Sequence, residues 1–314
     1  CAEAPGKIPP RGWKDILGRP GREAGRDRLP ALAGGVTFYI LLAVFPAAAA
    51  FVSLYGIFSD VSMVQEQLHQ MSAVFPAEVL DLIGRQMLRI ATQRPATLSA
   101  AFIAGIAVSV WSANAGMKAL FDGLNIAYGE TEKRDYLQRT LFSYAATFVA
   151  LCFLAVVTAV LVAAPIFLQE RGYTRLVLLW FVVRWGVVLA LAALAFVLVY
   201  RYGPSRAPAR WRWVTGGGVL AAILWMSASM GFSFYVNNIA HFDATYGSLG
   251  AVIAFMVWVW TSVMVVLMGA ELNAEIEHQT ACDSTAGEPM PMGERGAVMA
   301  DTIGRAFTAT PREA

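Results

Sequence analysis

Residues 246–277 read YGSLGAVIAFMVWVWTSVMVVLMGAELNAEIE, and this stretch decides the fold. Between Leu249 and Ala270 lie 22 residues without a charge. Wound as a helix they extend about 33 Å, enough to cross the hydrocarbon core of a bilayer. A water-soluble domain has no need of so long a uniformly apolar helix. The run ends abruptly in GAELNAEIE. Glu271 and Glu275 stand four apart and so share a helix face. Carboxylates near a helix C-terminus oppose its macrodipole. Two readings follow. Either these groups mark the membrane boundary, or they meet basic groups, with Arg201, Arg206, Arg210, Arg212 and Lys118 as candidates.

The whole chain agrees with that stretch. Its 314 residues are 57% hydrophobic and only 15% charged, and the mean hydropathy is +0.55. Soluble domains carry about a quarter charged residues. The expected fold class is therefore all-α, a polytopic membrane protein. Three cysteines are scattered at 1, 152 and 282, which suggests no disulfide framework and no paired metal ligands. Cys1 in the place of Met points to a truncated or processed start. No secretory signal is expected, since the first apolar run begins only at Ala31 and is too long for one.

Taken in order, residues 1–30 form a basic segment broken by Pro9, Pro10, Pro20 and Pro30. A domain of six membrane helices follows over 31–278, with spans at about 31–58, 97–117, 140–168, 176–200, 213–235 and 247–270. The first span holds Pro46 at its centre, where a kink packed inside the bundle is expected, and Gly34 and Gly35, which permit close helix contact. Residues 59–97 are too polar to span. They read as a short helical hairpin on the extracytoplasmic side, either an interfacial element or a lid. The second span carries small residues four apart, Gly105/Ser109 and Ser112/Gly116, together with Asn114. Residues 279–314 read as a disordered tail. Lysines and arginines set the orientation. With both termini in the cytoplasm, 18 lie inside and 5 outside, Arg184 being within a span.

Three segments carry a family resemblance. GRDRLP at 25–30 followed by AGGVTFYILLAVFPAAA at 33–49 is similar to the first span of the YihY/virulence factor BrkB family. WSANAGMKALFDGLNIAYGE at 111–130 resembles its second span and exit. FDATYGSLGAVIAFMVWVWTSVMVVLMGAELNAEIE at 242–277 resembles its last span. The likeness covers roughly residues 12–278. It implies a six-helix protein of the bacterial inner membrane, and Pro46, Gly250, Glu271, Asn273 and Glu275 as structural motif residues. It implies little chemistry, since members have been labelled ribonuclease BN, linked to serum resistance or proposed as transporters.

Catalytic chemistry is sought and not found in the residues themselves. His69, His241 and His278 lie far apart, none with a ligand-spaced partner. No Walker loop, nucleophile elbow, HExxH or dinucleotide fingerprint is present. Gly216–Gly218 reads as helix packing before phosphate binding. No enzyme, metal or cofactor is expected, and no nucleic-acid partner. Arg184 is the one charge within a span. It either snorkels to the headgroups, with Trp180 able to stack on it, or meets an anionic lipid or solute in the interior. Asn114 reads as an interhelical hydrogen bond or a substrate contact. Arg184 and Asn114 are the substrate-path candidates. The expected function is transport or translocation of an amphipathic or anionic substrate, lipid-linked ones included, or a role in envelope integrity, with membrane lipids as partners. A scaffold for envelope assembly is the alternative, and a membrane-bound ribonuclease a third.

Overall fold

The structure, a computed structural model, describes residues 16, 18–58, 95–170, 174–240 and 249–304. The hairpin expected at 59–97 falls almost wholly outside them, as do His69 and His241. The described chain forms α1 (Pro20–Arg26), α2 (Leu29–Phe58), α3 (Pro95–Ala127), α4 (Tyr136–Glu170), α5 (Thr174–Tyr202), α6 (Trp211–Asn238), α7 (Gly250–His278) and the short α8 (Val298–Asp301). Six of these, α2 to α7, are long and apolar enough to cross a membrane. Among the described residues the only β-pairing is an isolated antiparallel bridge between Ala209 and Thr285. The protein is an all-α polytopic membrane protein.

The helices outrun the apolar segments that announce them. α3 continues ten residues past the expected end at 117, and α7 eight past 270. Bilayer thickness limits the greasy run and not the helix, which continues wherever its polar end finds partners. Local chemistry sets the stops. Arg28 takes φ 52° and separates α1 from α2. At the end of α3, Gly129 adopts φ 63°. Its N–H donates to Ile126 O, and that of Glu130 to Asn125 O. This is the Schellman pattern, in which a left-handed glycine satisfies the last carbonyls.

Two compact units divide the chain, one of residues 38–116 and the other of 1–37 with 117–314. In the first, α2 runs unbroken through Pro46. Gly105 lies so close that an added Cβ would sit 2.8 Å from Pro46 O, and one on Gly116 would sit 3.3 Å from Tyr39 Cβ. In the second, α4 packs on α5, α5 on α6 and α6 on α7, while α1 and α8 both pack on α7. Gly218 and Gly269 make the close approaches here, to Val197 and to the Tyr200 hydroxyl. Gly34, Gly35 and Gly216 do not, since a Cβ on any of them meets nothing within 4 Å. Among the described residues, then, neither Gly34 nor Gly35 makes the close helix contact expected of it. At most 22% of any span is buried, and Phe38, Ile103, Trp111, Phe148, Leu154 and Phe234 point outward. Such surfaces are stable only against lipid.

Of the tail, residues 279–304 are described, and they are held by side-chain-to-backbone hydrogen bonds. Arg295 is 7% exposed and donates to the carbonyls of Met290, Ala300 and Ala281 at 3.1, 2.6 and 2.9 Å. Asp301 caps the N–H groups of Gly293 and Arg295. Asp283 accepts from the N–H groups of Thr285 and Met290 and from the Thr285 hydroxyl. Burial works against the Asp283 charge, but these donors and Arg295 outweigh it and hold the carboxyl below its ordinary range. The tail is stitched to the 203–210 loop by Arg210 N–H to Ser284 O and Ala286 N–H to Pro208 O, both 2.8 Å. Cys152 is a free thiol. Order built from side-chain-to-backbone bonds leaves no hydrophobic periodicity to read. Arg295→Ala strands three carbonyls and is expected to loosen the tail by on the order of 2–3 kcal/mol. Limited proteolysis should then cut at 286–294 while α2–α7 stay intact. Because the Asp283 shift is downward, the tail should also loosen as pH falls through that lowered value.

Candidate functional site

The last seven residues of the acidic motif, Glu271–Glu277, are buried on every side. A helix turns 100° per residue, so positions 271 and 275 point one way and 273 and 277 nearly the opposite way. Each pair finds a different polar environment.

On one side, Glu277 meets Arg206 of the loop between α5 and α6. Both guanidinium nitrogens Nη1 and Nη2 bond the two carboxylate oxygens, and each side chain is 1% exposed. The same guanidinium lies over the Tyr128 ring, 4.2 Å from its centroid. Burial works against the Arg206 charge, but the facing Glu277 outweighs it and raises the pKa above the usual arginine range. Burial likewise pushes the Tyr128 phenol up, with Arg206 opposing. Asn273, one turn before Glu277, is 0% exposed. It fits only because Gly217 of α6 lacks a side chain: a Cβ there would lie 2.0 Å from Asn273 Oδ1. The Tyr128 hydroxyl lies beside this amide. Yet neither amide atom of Asn273, nor the Tyr128 hydroxyl, completes a well-formed hydrogen bond among the described residues. Three helices, α3, α6 and α7, thus converge on polar groups with unspent capacity.

The Arg206 loop is held from the end of α3. Asn125 accepts the Ser205 N–H at 2.7 Å and donates to Glu132. Arg134 Nη2 donates to the carbonyls of Tyr202, Gly203 and Pro204 at 3.2, 3.1 and 3.0 Å, closing the end of α5. Glu130 receives the Val298 N–H at 2.7 Å and the Lys133 ammonium at 2.8 Å, tying the tail to the same knot.

On the other side, Glu275 pairs with Arg19 at 2.9 Å. Glu271 is buried, and its Oε1 finds no hydrogen-bond partner among the described residues. Neither meets the basic candidates read from the sequence. Arg201 bonds Ala209 O, Arg210 bonds Thr285 O and Gly287 O, and Lys118 bonds Thr140. Those cations are spent on carbonyls and a hydroxyl before they reach the motif. Arg206 does pair there, but with Glu277. The partner that does arrive, Arg19, lies 256 residues away in the chain, and spacing gave no signal for it.

The other candidates fall as follows. Arg184 is half-buried, with its guanidinium 5.1 Å from the centroid of Trp185, a ring the sequence reading did not name. Asn114 is 4% exposed, and its Oδ1 finds no partner among the described residues. These two lie in different compact units. Gly250 is buried at the start of α7. His278 shares a hydrogen bond with Thr302 at 3.0 Å. Among the described residues no group of three His, Cys, Asp or Glu is placed to hold a metal ion. Tyr128, Glu130 and Glu277 were missed. Glu277 alone had a signal, its position one turn beyond Asn273.

This is a polytopic membrane protein whose last helix ends in a buried polar knot, and comparison places it further. The chain belongs to the virulence factor BrkB family, whose profile matches residues 21–292. It is 30% identical over 274 residues to the putative ribonuclease-like protein YfkH of Bacillus subtilis strain 168, covering 83% of this chain and 93% of that one. It is 26% identical over 260 residues to the UPF0761 membrane protein Bxeno_A3061 of Paraburkholderia xenovorans, covering 81% of this chain. A similar protein of Ralstonia nicotianae, RSc1559, matches at 26% over 256 residues. The chain spans 58% and 57% of the length of these two longer relatives. No solved structure matches.

Proposed function

We propose that this protein moves an amphipathic or anionic substrate, of lipid or small-solute class, across the bacterial inner membrane, without catalysing a reaction. One observation carries the reading. Asn273, Tyr128 and the Arg206–Glu277 pair are buried where α3, α6 and α7 meet. Packed apolar side chains would hold those helices as well or better. Polar groups with unspent bonds suit helices that exchange partners between two states. Arg184 supports an anionic substrate, since its planar fork suits phosphate or carboxylate.

Substrate-dependent flux in proteoliposomes tests the reading. Arg184→Leu should insert normally and lose most of the flux, Arg184→Lys should lose part of it, and full flux by Arg184→Leu removes Arg184 from the path. A scaffold for envelope assembly is favoured by the exposed Met290, Met292 and Ile303 of the tail, and absence of flux with normal envelope complementation would select it. RNA cleavage by protein freed of contaminating nuclease would select the activity in the YfkH name. Orientation is checked with impermeant maleimide on whole cells. Cysteine at Ser62 should label, and at Glu288, which is exposed, should not. Ser205 and Ser284 are buried and would stay silent on either side.

A further inference from the structure

Residues 296–304 of the tail bond beside the buried knot at three points. The Ala207 N–H, next to Arg206, donates to Gly296 O at 3.2 Å. The Val298 N–H donates to Glu130 Oε1 at 2.7 Å, two residues past Tyr128. The Gly304 N–H donates to His278 O at 2.9 Å, next to Glu277. Arg206, Tyr128 and Glu277 come from separate parts of the chain: the loop before α6, the end of α3 and the end of α7. One short stretch of tail thus reaches the immediate neighbourhood of all three. It lies directly on the end of α3, since a Cβ on Gly129 would sit 3.4 Å from Met299 Cε and 3.7 Å from Val298 Cγ1.

Beneath it lie polar groups with bonds to spare. Tyr128 and Asn273 are fully buried. The Tyr128 hydroxyl, both amide atoms of Asn273 and Arg206 Nε complete no hydrogen bond among the described residues. Water that reached them would be bound. The tail itself is held by polar contacts. The hydrophobic side chains it buries are those of Ala297 and Ala300, whereas Met290, Met292, Val298 and Ile303 are exposed. Glu130 anchors it, taking the Lys133 ammonium at 2.8 Å as well as the Val298 N–H. A segment with so little buried apolar area opens at a lower free energy than the packed helices it covers.

We propose that residues 279–304 form a strap that opens as a unit and, when shut, keeps water and solutes from the polar knot where α3, α6 and α7 meet. Glu130 is its catch. The strap stands independently of the transport reading, and flux enters neither of its tests.

Hydrogen exchange on the full chain in nanodiscs reads the strap. The Ser205 N–H is the reporter. It donates to Asn125 Oδ1 and not to the strap, so strap opening reaches it only by admitting water. A Cβ on Gly296 would lie 3.7 Å from Ala207 Cβ, within the span of about 3.5–4.5 Å that a disulfide bridges. Ala207→Cys with Gly296→Cys, in a chain whose native cysteines are replaced by serine, locks the strap on oxidation. Gly296 has φ 71°, so the strain of a side chain there is present in both redox states and cancels between them. Oxidation should slow Ser205 exchange about tenfold or more, and reduction should restore it. Glu130→Ala, with no cysteine added, should speed exchange at Val298, Gly304 and Ser205 together by about tenfold, while the centres of α5–α7 keep their rates. Equal Ser205 rates in the oxidised and reduced lock, or faster Val298 exchange in Glu130→Ala without faster Ser205 exchange, overturns the proposal.

Discussion

Glu277→Gln should destabilise the protein by about 3–5 kcal/mol, because it leaves the Arg206 charge buried with no counter-ion. Both side chains are 1% exposed, so water cannot take over the role of the carboxylate. The amide keeps the shape and one acceptor, which isolates charge from volume. The measurement is the denaturation midpoint in detergent, with release of the 203–210 loop followed by proteolysis. Replacing both partners, as Arg206→Met with Glu277→Leu, should restore most of the loss, since an apolar pair of similar size carries no desolvation penalty. The double variant also separates stability from function. If the knot exchanges partners during transport, the double variant melts like the wild type and carries no flux. An unchanged midpoint in Glu277→Gln would remove the pair from any role in holding the loop.

Gly217→Ala should cost about 1–3 kcal/mol, and Gly217→Leu should prevent assembly of the second unit altogether. The added Cβ would lie 2.0 Å from Asn273 Oδ1 and 2.4 Å from Cγ. That amide is fully buried and has nowhere to swing. The adjacent Gly216 supplies the control. Its Cβ meets nothing within 4 Å, so Gly216→Ala should stabilise α6 by up to about 1 kcal/mol through helix propensity. Neighbouring glycines in one run thus give effects of opposite sign. Asn273→Ala should rescue Gly217→Ala, because it removes the atoms struck by the new methyl. Melting in detergent reads all four variants, and equal midpoints for Gly216→Ala and Gly217→Ala would refute the close approach.

The sequence by itself determined the membrane architecture. Hydrocarbon thickness is fixed, so charge-free runs such as 249–270 have one stable use, and all six spans were legible from their length. It also singled out GAELNAE as the place where apolar helix becomes acidic. It did not decide how that end is satisfied. The partners of Glu275 and Glu277 lie just before α1 and in the loop before α6, and a charge carries no record of which distant charge it meets. Pairing depends on which cations reach carbonyls first, as Arg201 and Arg210 do. The three glycines at 216–218 look alike on the page, and only the crossing of α6 with α5 and α7 makes two of them obligatory. The tail contacts were illegible for the same reason. Its order comes from Arg295, Asp283 and Asp301 bonding to backbone, and such bonds exist only once the loop and the helix ends have been brought together.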